Sequence, residues 1–147
     1  MPSIGLLILS IVFRLKVEGN QKTDWKLVLQ LSYELLTTRS KDLRIVCWYA
    51  YAQLKVNGLV RLPAVLFMLQ KVIEQYWEQC FPVKIRARLA ALIWLFDRID
   101  YNENKYAENL SSDELNLLIL SLESCDEILN GKFDGKVSFL QPKLQLL

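Results

Sequence analysis

The sequence predicts an all-α fold, a compact antiparallel bundle of about five to six helices. Three observations carry that prediction. Only 5 Gly and 4 Pro occur in 147 residues, too few punctuation points for the many tight turns of a β fold. Apolar residues recur at spacings of three and four along successive stretches, the period of a helix with one buried face. Those stretches are bracketed by residue types that start and stop helices. A hydrophobic fraction of 52% and this length suit one core, with or without a tail.

The segment Val17 to Lys22 is polar and turn-forming and leads into Thr23, whose hydroxyl can cap a helix by accepting a free backbone N–H. The first capped helix is predicted from Asp24 to Thr38, with the Asp24 carboxylate favourably placed at the positive end of the helix dipole. Trp25, Val28, Leu29, Ser32, Leu35 and Leu36 form its inner stripe. Ser40 repeats the capping device, supported by Asp42, and the second helix runs to Asn57-Gly58, a pair suited to the left-handed backbone that ends a helix. Its stripe is Leu43, Val46, Cys47, Ala50, Tyr51 and Leu54, widened by Trp48 and Tyr49. The link between these helices is short enough to require an antiparallel hairpin.

Pro63 fits the first turn of a third helix, where its missing N–H costs nothing, and Leu66, Leu69, Val72, Ile73, Tyr76 and Trp77 mark the inner face. Pro82 disfavours helical geometry at Phe81 and closes that helix. A fourth is predicted from Lys84 to Arg98, with Ile85, Leu89, Leu92, Phe96 and Ile99 on one side and Ala90, Ala91, Ile93, Trp94 and Leu95 on the other. A helix apolar nearly all round belongs in the middle of a bundle. Asp100 to Asn109 is polar and predicted as a loop. Ser111-x-x-Glu114 has the spacing of a capping box for a fifth helix ending at Asn130-Gly131, with Leu115, Leu117, Leu118, Leu120, Leu122, Ile128 and Leu129 supplying its apolar contacts.

The net charge of +2 conceals an asymmetry. Residues 1–96 hold 13 Lys/Arg against 6 Asp/Glu, whereas residues 97–127 hold 2 against 9. The basic half has no compact Lys/Arg run, so solvated faces and contacts between the two halves are favoured over nucleic-acid binding. Cys47, Cys80 and Cys125 are odd in number and widely spaced, which supports neither a disulfide framework nor a metal site. Core packing of Cys47 and Cys80 in a reducing cytoplasm fits this usage. The apolar run Ile4 to Phe13 is short against the roughly 20 residues that span a bilayer, and no positive charge precedes it. A helix or strand packed on the domain is preferred there to a membrane or export segment.

Histidine is absent, which removes Ser-His and Cys-His nucleophilic systems and the commonest metal ligand. Asp97 with Asp100, and Glu123 with Asp126 and Glu127, fall near helix ends on polar faces, and no phosphate-binding glycine loop occurs. The chain is therefore expected to be a non-enzyme without cofactor or metal. Trp25, Trp77 and Trp94 are expected in the core, while Trp48 beside Tyr49 is the candidate for a partly exposed partner surface. Arg88 has two readings. Either it faces solvent, or it is drawn into the bundle and needs carbonyls or a carboxylate, with Asp42 and Asp24 as candidate partners.

The ordered series Asp24-Trp25, Ser40-Lys41-Asp42-Leu43, Gly58, Tyr76-Trp77, Pro82 and Arg88-x-x-x-Leu92-x-Trp94-Leu95 resembles the ImpA N-terminal domain of TssA-like components of the bacterial type VI secretion machine. The signature residues Asp24, Trp25, Ser40, Asp42, Leu43, Trp77, Arg88 and Trp94 mark the scaffold, and the resemblance covers residues 24–98. It implies a structural part acting in assembly of baseplate and contractile tail, with baseplate, sheath or tube proteins as partners. Oligomerisation of such proteins uses other domains. Residues 1–131 are then one helical domain, and 132–147 a tail or the start of a linker to a domain absent here. A membrane-proximal regulatory domain held by the apolar N-terminal segment is the alternative.

Overall fold

The computed structural model describes residues 24–38, 41–106 and 110–133, and the side chains of 38 and 100–106 are not part of that description. These residues form α1 (Trp25–Thr38), α2 (Leu43–Asn57), a 3-10 turn (Leu59–Arg61), α3 (Leu62–Tyr76), α4 (Ile85–Tyr106) and α5 (Ser112–Lys132). Among the described residues there is no strand, only an isolated parallel bridge between Asp42 and Phe81. The all-α bundle expected from the periodicity is what forms. The apolar run at residues 4–13, Thr23, Ser40 and residues 134–147 lie outside the described residues.

Helix starts use the expected chemistry on shifted residues. Asp24 itself caps α1, its carboxylate accepting from the Leu27 N–H at 3.1 Å. Asp42 caps α2 by accepting from the Arg44 N–H at 2.9 Å, so the cap lies two residues beyond the predicted Ser40. Gly58 closes α2 with φ 82°, a backbone conformation that costs a residue with a Cβ, and its N–H donates to the Leu54 carbonyl at 2.9 Å. The capping box at Ser111 and Glu114 is complete in both directions.

Two boundaries differ from expectation. α4 continues to Tyr106, through residues predicted as a loop. A polar, Gly- and Pro-free stretch reads equally well as helical turns, and these form here. α5 runs through Gly131 to Lys132, capped by the Phe133 N–H on the Leu129 carbonyl at 3.1 Å. A single glycine near the end of a long helix costs about 1 kcal/mol, which tertiary packing overrides.

α1 packs on α2, α2 on α3 and α4, and α3 on α5. Consecutive helices alternate in direction, so the next-but-one pairs run parallel. Side-chain contacts set that alignment: Gln70 meets Ser124 and Trp77 meets Phe133, while Tyr51 meets Trp94. The main core is built from Leu43, Val46, Leu66, Leu69, Leu92, Phe96, Leu118 and Leu122 with their neighbours. Ile45 and Ala52 face the other way and join Val28 and Leu35 in a second cluster under α1. α2 thus buries two faces, which explains why its apolar arc is wider than one stripe.

Cys47 and Cys125 are buried in the main core as free thiols. Burial pushes the Cys125 thiol up to about 12 and raises that of Cys47 as well, because a thiolate there loses its hydration. An unfolded thiol ionises near 9.0, so the native state holds more protons above that pH and stability falls as pH rises from about 9. Denaturant titrations at stepped pH should show this alkaline loss, on the order of 1 kcal/mol per pH unit for each thiol. Cys47→Ala should lessen the slope while leaving Cys125 and Cys80, whose thiol is also raised by burial, to supply the remainder.

Candidate functional site

Four of the signature residues, Asp42, Leu43, Trp77 and Arg88, meet at one joint rather than around a pocket, whereas Trp25 and Trp94 meet Tyr51 farther along the bundle. At the end of α3 the chain turns through Trp77–Gln79, reaches Cys80 and enters a cis Phe81–Pro82 bond before α4 begins. Helix ends leave carbonyls without intrahelical partners, and here Arg88 supplies the donors. Its Nη1 donates to the Trp77 carbonyl at 2.7 Å, Nη2 to that of Cys80 at 2.9 Å, and Nε to that of Pro82 at 2.7 Å. The guanidinium also lies over the Trp77 ring, 4.5 Å from its centroid. Arg88 is buried, and backbone carbonyls rather than Asp42 or Asp24 are the partners seen.

Asp42 is engaged elsewhere. Its carboxylate caps α2 and takes a two-point contact from the Arg44 guanidinium at 3.0 and 2.6 Å. On either side of it, the Phe81 N–H donates to the Lys41 carbonyl at 2.9 Å and the Leu43 N–H to the Phe81 carbonyl at 2.6 Å. These two bonds fasten the α3–α4 connection to the start of α2. Leu43 itself is fully buried beneath the joint.

The tryptophans are half-buried struts. Trp25 meets Tyr51 edge-on at 4.9 Å, and Tyr51 meets Trp94 in the same manner at 5.6 Å, tying α1, α2 and α4 together. Trp77 meets Phe133 at 5.7 Å and brings the end of α5 to the joint. Arg98 covers the outer face of Trp94, 4.1 Å from its centroid. Trp48 is half-buried against the second cluster. Tyr49, also half-buried, accepts from Gln53 and has the exposed Tyr33 ring at 6.3 Å. Beside it Tyr49, Gln53, Arg61, Ala64, Val65 and Met68 line a cleft of about 140 Å³. That volume is below the roughly 300 Å³ at which small-molecule pockets begin.

The feature that sequence reasoning missed lies on the outside of the joint. Phe81 is 54% exposed, Val83 72% and Ile85 49%, and Tyr76, predicted to face inward, is exposed beside them. Large apolar side chains clustered on one connection form a patch of the kind used for protein contacts. The backbone beneath them is held by the Arg88 and Lys41–Leu43 hydrogen bonds, so little entropy remains to be lost on binding. Exposed Lys84 and Arg86 edge the ridge, and the Lys41 ammonium sits 5.2 Å from the Tyr76 ring centroid. The sequence signal was Pro82, which interrupts the helical period among Phe81, Val83 and Ile85 and so gives no period by which to assign them inward.

Among the described residues no helix is long and apolar enough to cross a membrane, and no group of three potential ligands could hold a metal ion. A model of the family described as ImpA, N-terminal, type VI secretion system matches residues 11–97. No curated protein and no solved structure was found to match the chain.

Proposed function

Since the chain belongs to the ImpA N-terminal family and is on that basis a type VI secretion system component, we propose that it is a non-catalytic interaction module of that machine. It acts in assembly of baseplate and contractile tail, through contacts with baseplate, sheath or tube proteins. The observation that carries this reading is the Phe81–Ile85 ridge, an apolar surface displayed on a backbone held at the joint by Arg88 and by the Lys41–Leu43 segment. A cytoplasmic setting suits the three free thiols.

The test is retention of identified secretion proteins by the immobilised chain. At least one baseplate, sheath or tube component should be retained, and Val83→Asp should reduce that retention about tenfold or more with an unchanged melting temperature. Val83 is so exposed that its replacement touches no core contact. Failure to retain any of the three classes overturns the reading.

A further inference from the structure

We infer that the ridge of one copy docks on α5 of a second copy. This inference rests on the ridge being a contact surface, as proposed above, and adds a second copy of the chain to the secretion proteins as its occupant. The complementary surface is on the same chain. Leu117 and Leu120 are 56% and 62% exposed, one turn apart on the outer face of α5. Asp113, Glu123 and Glu127 are exposed along that face, and the helix has no basic residue before Lys132. An apolar pair set among carboxylates on one copy therefore faces an apolar ridge edged by Lys84 and Arg86 on another. The match pairs apolar with apolar and cation with anion.

Distance places the match between copies rather than within one. The ridge lies at the end of the bundle where Trp77 meets Phe133. Leu117 and Leu120 precede Phe133 by 16 and 13 positions, a rise of roughly 20–24 Å along a helix. The two surfaces cannot touch within one chain. A two-fold pair in which each ridge meets the other copy's α5 uses both surfaces of both copies, and a contact made one way only extends into rings or chains.

Sedimentation velocity of the 147-residue chain over a concentration series tests this. Self-association should appear at low salt and weaken as salt screens the charges. The double variant Lys84→Glu/Arg86→Glu makes both surfaces acidic, and Glu123→Lys/Glu127→Lys makes both basic. Each alone should associate about tenfold or more weakly than the parent. Their equimolar mixture should regain association, because every contact then joins opposite charges. A parent that stays monomeric, variants that associate as the parent does, or a mixture that stays monomeric overturns the inference. So does binding of the monomer to phosphatidylglycerol vesicles, lost in Lys84→Glu/Arg86→Glu, in place of self-association. Ridge-dependent retention of a sheath, tube or baseplate protein by a monomeric chain would leave the functional reading standing and remove only this one.

Discussion

Arg88→Met should destabilise the chain by about 2–4 kcal/mol, among the largest losses expected from any single substitution. Methionine fills a similar volume and suits the apolar surroundings, so the loss reports the hydrogen bonds together with the cation–π contact on Trp77. Three carbonyls at 2.7–2.9 Å would lose their donors together, at the end of α3 and through the turn that follows. Relief from burying a charge offsets part of that cost and keeps the figure below the sum of three bonds. For a domain of this size the melting temperature should fall by roughly 5–15 °C, measurable by circular dichroism. Arg88→Lys keeps the charge but cannot reach three acceptors that point at a planar fork, so it should recover only part of the loss. An Arg88→Met protein as stable as the parent would show that the joint holds itself by other means. The same substitution should also loosen the ridge and weaken partner retention beyond what folding stability explains.

Much of this architecture is legible in the sequence. The period of apolar residues placed Leu43, Val46, Cys47, Ala50, Tyr51 and Leu54 on one buried face of α2, because a half-buried helix has only one way to satisfy that spacing. The Ser111–Glu114 box was legible for the same local reason. What was not legible depended on the path of the chain through space. Ser40 and Asp42 both carry cap chemistry, and the choice of Asp42 follows from its backbone neighbours bonding to Phe81, some forty positions away. Arg88 could be suspected of burial from its apolar helix, but every residue owns a carbonyl. Which three it would meet was set by the turn around Pro82. The ridge is hidden from periodicity: Tyr76 falls on the predicted inner face of α3 and Ile85 on one side of a helix apolar nearly all round, yet both are exposed.

The same difficulty makes α5 the sharper test. Within Leu117, Leu118, Leu120 and Leu122, composition alone cannot rank the leucines, and helical period gives a face without saying which neighbour covers it. The structure separates them: Leu118 and Leu122 are buried in the main core, while Leu117 and Leu120 stand in solvent. Leu122→Ala should therefore cost about 2–5 kcal/mol, because the removed methyl groups leave a cavity between α3 and α5 that close-packed neighbours fill only in part. Leu120→Ala, two positions earlier, should change stability by no more than about 0.5 kcal/mol, since it leaves no cavity and alanine favours the helix. Urea titrations of the two variants check the contrast directly, with equal slopes and separated midpoints expected. Similar losses at both positions would mean that the outer face of α5 is covered in solution, and the concentration dependence of Leu120→Ala then decides the source of the cover. Leu120→Ala should weaken self-association while barely touching the fold, whereas Leu122→Ala should do the reverse at concentrations where the chain remains folded.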